Sequence, residues 1–215
     1  MGNTGRIIGI LLLVQVAGGI SVNLFLTAPL FASGGFMVNA SGHAQQIGLS
    51  VLVSLITTGL TLAVAILGFS AFRRTHPSLS IGFIALAAVG LSATVFENIS
   101  VMSMVSFSEV YAGATAVEQD VLGAVQGMVA ATRNWSHYIS LILSGAILFV
   151  FYLMLFQSRL VPRILAGFGL IAVLSQMSSV SLPLFGHDVI FPMLAPLGLS
   201  QIALSFWLIA KGFQH

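Results

Sequence analysis

The chain has 215 residues, of which 58% are hydrophobic and only 6% are Asp, Glu, Lys or Arg. Soluble domains carry about a quarter charged residues, so a largely water-wetted surface is excluded. The formal net charge of +2 offers no basic patch for nucleic acid, and the absence of cysteine excludes disulfides, thiolate metal sites and a Cys nucleophile.

A membrane-spanning helix needs about 20 apolar residues. Six segments reach that length: 7–31, 47–72, 79–107, 135–157, 162–184 and 190–210. Backbone in lipid must satisfy its own hydrogen bonds, which makes long apolar runs helical. The alternation of a transmembrane β-strand is absent. The predicted fold is all-α: one domain over residues 1–215, six transmembrane helices in one bundle. The first run follows MGNTGR and is longer than the core of a signal peptide, so a retained helix is expected. Arg6 stands where a myristoylation signal carries Ser or Thr.

The stretches Gly34–Gln46 and Arg73–Pro77 separate the first three spans. The longest connection, Glu109–Asn134, contains a helical stretch over 116–132, with acids at its start and Arg133 at its end, as the helix dipole favours. Joined to the fourth span without a break, it would make a helix about 60 Å long, twice the hydrocarbon thickness. A kink or break near Thr132–Trp135 is therefore expected, with 116–131 lying along the outer surface or packed over the bundle and Trp135 and Tyr138 at the interface. Gln157–Pro162 and Phe185–Asp188 complete the connections. Arg6, Arg73, Arg74, Arg159, Arg163 and Lys211 all fall at one end of such a bundle, and Arg133 at the other. The positive-inside rule then places both termini in the cytoplasm and the helical loop outside. Small residues (Gly59 with Ala63, Gly82 with Gly90, Gly167 with Gly169) are candidates for close helix approach.

Several stretches carry a resemblance. YLMLFQSRLVPRILAGFGLIA (152–172), FWLIAKGF (206–213), RIIGILLL (6–13), VFENISVM (95–102) and RNW (133–135) resemble those of a bacterial six-helix membrane family catalogued as domain of unknown function 4386. The resemblance implies the topology and a place in the bacterial cytoplasmic membrane, and implies no activity. Members often carry Arg three residues before the Glu of span three and an acid in span six. Here those positions are Thr94 and Gln201.

An ionisable residue inside a span is expensive and is a site hypothesis by default. Glu97 lies 20 residues beyond Pro77, about 30 Å along a straight helix, and His137 lies 22 residues before Arg159, about 33 Å. The two are at similar height, with Asn23 nearby in depth and Gln176 closer to the middle. The expected site is an outward-opening polar pocket lined by Glu97, His137, Asn98, Asn23 and Gln176, with Glu97 bonded across helices to His137 or Gln176. Such a pair can hold a cation, a proton or a polar ligand. The bland alternative is that Glu97 only glues helices together.

No metal or cofactor is predicted: His43, His137 and His187 share no helix turn, and no H-E-x-x-H spacing exists. No G-x-S-x-G or P-loop is present, and no catalytic residue is assigned. The functional expectation is an integral membrane protein that binds or moves a small ligand or ion. The alternatives are a non-catalytic subunit or assembly partner of a larger membrane complex, and an intramembrane hydrolase. Expected partners are membrane lipid, a small ligand or ion and other membrane subunits, with no nucleic acid.

Overall fold

A computed structural model describes residues 2–214, and all regular structure among them is helical. Helix α1 (Gly2–Ile20) widens into a π-helical stretch (Ser21–Leu26) and a 3-10 turn (Ala28–Leu30). A short helix α2 (Gly35–Asn39) and a 3-10 turn (Ser41–His43) lead into α3 (Ala44–Phe72). Then come α4 (Pro77–Gly113), α5 (Ala116–Ser158), α6 (Arg163–Ser181) and α7 (Ala195–Lys211). Six of these stretches are long and apolar enough to cross a membrane: Gly2–Leu30, Ser41–Phe72, Pro77–Gly113, Ala116–Ser158, Arg163–Phe185 and Phe191–Lys211. The chain is a multi-pass membrane protein.

The helices are stopped by ordinary local chemistry. Pro77 opens α4 at its first turn, where a missing N–H leaves no bond unmade. Arg159 takes the left-handed conformation (φ 56°) that ends α5, and Val161-Pro162 turns the chain into α6. Thr115 and Glu118 form a capping box at the start of α5.

The spanning helices contact one another in chain order, α1–α3–α4–α5–α6–α7, and α7 closes back on α1. Gly2 and Gln214 therefore lie at one end, the basal end, where Gln214 N–H donates to Leu160 O at 2.8 Å. Aromatic rings fill that half of the interior. Phe83 stacks on Phe151 at 5.5 Å, and Phe72 meets Phe151 and Phe213 edge-on at 6.2 and 6.0 Å. The α1–α7 seam rests on Gly5 and Gly9, one helical turn apart. A Cβ at Gly9 would sit 2.8 Å from the Leu208 Cβ, and one at Gly5 would collide with the Phe213 backbone. This small-x-x-x-small seam differs from the glycines singled out in the sequence: Gly59 and Gly82 have nothing within 4 Å, whereas Gly90 meets Ile147 and Gly169 meets Tyr152.

At the opposite, apical end, α4 and α5 overrun the bundle as an antiparallel hairpin. At 43 residues α5 is about 64 Å long and uninterrupted. This corrects the expected break at Thr132–Trp135. No Pro or glycine pair sits there to kink the helix, and Val129 and Ala130 pack on the apical cluster of Leu30, Phe36, Met37, Ile47, Val101 and Met104. Residues 116–131 thus stand up beside α4 instead of lying flat. The segment between α1 and α3 folds onto the same cluster. The fully buried Ser108 clamps it, its Oγ donating to Met37 O at 2.8 Å and accepting from Ser41 N–H at 2.9 Å.

Candidate functional site

Glu97 on α4 and His137 on α5 meet in the apical half of the bundle. The imidazole Nδ1 and the carboxylate Oε1 are 2.7 Å apart, with side chains 23% and 17% exposed for His137 and Glu97 respectively. Both are therefore partly exposed. With the carboxylate ionised, Nδ1–H donates to it, which leaves His137 Nε2 free to accept or to take up a proton. The helices put them face to face because the buried stripe of α4 (Phe83, Ala87, Gly90, Thr94, Asn98, Val101) packs between α3 and α5, and Glu97 flanks it on the α5 side.

Arg133 precedes His137 by one helical turn and lies on the same face of α5. It is buried, interacts electrostatically with Glu97, and stacks its guanidinium 5.0 Å over the Phe31 ring from the segment after α1. Its Nε has no hydrogen-bond partner. Ser140, three residues beyond His137, lies beside the Glu97 carboxylate with a buried, unpartnered hydroxyl. Deeper still, Gln176 on α6 donates weakly to Leu141 O at 3.5 Å and leaves Oε1 unpartnered against Gly145. Four buried side-chain polar atoms among the described residues lack a partner, and three of them lie on this line from Arg133 to Gln176. An unmet buried polar atom is destabilising by about 1–3 kcal/mol. Their clustering marks a place where the fold tolerates polarity it does not itself satisfy. Below the line the interior is apolar, with Ile147 and Phe151 buried across it.

The other expected lining residues are elsewhere. Asn98 is buried but turned toward α3, its Nδ2 donating to Ser54 Oγ at 3.3 Å and to Thr94 O at 2.8 Å. Asn23 is exposed in the π-helical stretch and donates to Gly19 O at 2.9 Å. The structure thus brings together Glu97 and His137, adds Gln176 at greater depth, and does not bring Asn98 or Asn23 to them. A groove of about 630 Å³ between α3 and α4 includes Asn98 but neither Glu97 nor His137; its walls are apolar, from Val51, Leu55, Val95 and Met102. The sequence reading does not place Arg133 and Ser140 beside Glu97, although the i, i+4 spacing of Arg133 and His137 on a helix is readable. Among the described residues no three His, Asp or Glu side chains converge as a metal site.

The chain belongs to the family described as a domain of unknown function, DUF4386, whose model matches residues 7–212. No curated protein and no solved structure matches the chain.

Proposed function

We propose that this protein binds a small polar solute or ion at the Glu97–His137 pair, entered from the apical end. The observation that carries the reading is the 2.7 Å carboxylate–imidazole contact, flanked by the unpartnered Arg133 Nε and Ser140 Oγ. Those two atoms are buried, so a ligand reaches them only as the side chains part around it. The apolar basal core beneath it makes the site a dead end in this conformation, so binding is the primary act and any transport needs the helices to rearrange. The six cations at the basal end and one at the apical end favour a cytoplasmic basal face in a bacterial cytoplasmic membrane.

The experiment is a thermal-melt panel on purified parent, Glu97→Gln and His137→Ala. The probes are monovalent cations, protons through the pH, and small amino and carboxylic acids. At least one probe should raise the parent's Tm and leave both variants unmoved. A panel in which no probe separates the parent from the variants would sink the reading.

A second reading has its own observation. Val117, Val121, Val125 and Met128 are exposed along one stripe of the overrunning part of α5. That pattern suits a subunit that docks on a larger membrane complex, and a partner lost on Val121→Lys would favour it.

A further inference from the structure

At the basal end α6 and α7 leave an open groove of about 620 Å³ between them. Ile164, Leu165 and Phe168 form one wall; Ala203, Phe206 and Trp207 form the other. It faces the membrane side, since Ile164 is 88% and Phe206 58% exposed. Among the described residues the only charged lining residue is Lys211, in the last turn of α7. Arg163, between the lining residues Pro162 and Ile164 in sequence, is turned away from the groove, its guanidinium 5.4 Å over the Phe156 ring of α5.

We propose that this groove seats an anionic phospholipid, one acyl chain between α6 and α7 and the phosphate on Lys211. The apolar wall from Ala203 to Lys211 rises about 12 Å, enough for the upper part of an acyl chain. Lys211 stands at the headgroup end of that wall, where a lysine stem lies on apolar surface and its ammonium reaches outward. One cation and, among the described residues, no acid at the mouth complement a phosphate. Lys211 disfavours a zwitterionic headgroup, whose own ammonium would meet it. Trp207 has the amphipathic ring of an interface anchor, and its indole nitrogen is buried with no acceptor from the protein. The inference is independent of the Glu97–His137 pair.

The test uses the full chain in detergent. Native mass spectrometry and thermal melts compare phosphatidylglycerol, phosphatidylcholine of identical acyl chains, and soluble glycerol phosphate. Phosphatidylglycerol should be retained as one copy per chain and raise Tm. Phosphatidylcholine should do so less, and glycerol phosphate not at all. Lys211→Gln should weaken phosphatidylglycerol binding about fivefold, the worth of one cation at a headgroup, and erase the headgroup preference, whereas Arg163→Gln should leave both unchanged. Ala203→Trp should fill the groove and abolish retention of both lipids; Lys211→Gln, at an exposed position, keeps the test open if that variant fails to fold. Equal binding of the two lipids with no effect of Lys211→Gln overturns the proposal. So does a shift reproduced by glycerol phosphate, or a dimer that Ala203→Trp dissolves without any lipid dependence.

Discussion

Gly169 packs against the ring of the fully buried Tyr152, so close that a Cβ there would collide with the ring's Cε1. The Tyr152 hydroxyl meets Ser200 Oγ at 2.7 Å, which ties α5 to α7 across the interior. The ring cannot move aside without giving up that bond. Gly169→Ala should therefore lower stability by at least ~1–3 kcal/mol, the usual range for overpacking. Gly59→Ala and Gly82→Ala, with open space around them, should be neutral or gain up to about 1 kcal/mol from reduced chain entropy. Denaturant or thermal unfolding of the three variants separates these outcomes, and equal losses at all three would refute the packing account.

The Glu97–His137 contact is testable as a coupling. Glu97→Leu and His137→Phe should each destabilise by about 1–3 kcal/mol, since each leaves a polar partner unmet in a largely dry bundle. The double variant should lose less than their sum, with a coupling of about 0.5–3 kcal/mol. Glu97→Gln should melt near the parent because the amide still accepts from His137. Strict additivity in the cycle would mean the two side chains do not interact.

Ser108 carries the apical clamp. Ser108→Ala removes the acceptor for Ser41 N–H and the donor to Met37 O. Amide exchange over residues 35–43 should speed by an order of magnitude or more, the equivalent of about 1–3 kcal/mol. Exchange in the basal core around Phe151 should be unchanged. Loosening of both regions together would show that the apical segment is not a separately held unit.

Orientation is read with cysteines, which this chain lacks. Cysteine at the exposed Ala116 should react with an impermeant thiol reagent on intact cells, and one at the exposed Thr75 only after the membrane is opened. The reverse pattern would place the basal end outside, and with it the mouth of the Glu97–His137 site inside.

The sequence by itself determined the solvent, the helical class and the number of spans, because hydrogen-bonding in lipid leaves a long apolar run little choice but helix. It also determined that Glu97 and His137 share a height, because rise per residue is constant and the ends are marked by Pro77 and Arg159. It did not determine the run of α5. Length alone argued for a break, whereas packing of Val129 and Ala130 on the apical cluster keeps the helix unbroken. Nor did it determine which polar residues share a site. Glu97 and Asn98 are adjacent in the chain, yet a step of about 100° around the helix sends one to His137 on α5 and the other to Ser54 on α3. Height along a helix follows from counting residues. Rotation about its axis is set by how neighbouring helices pack, and in a chain this uniformly apolar no amphipathic stripe announces it.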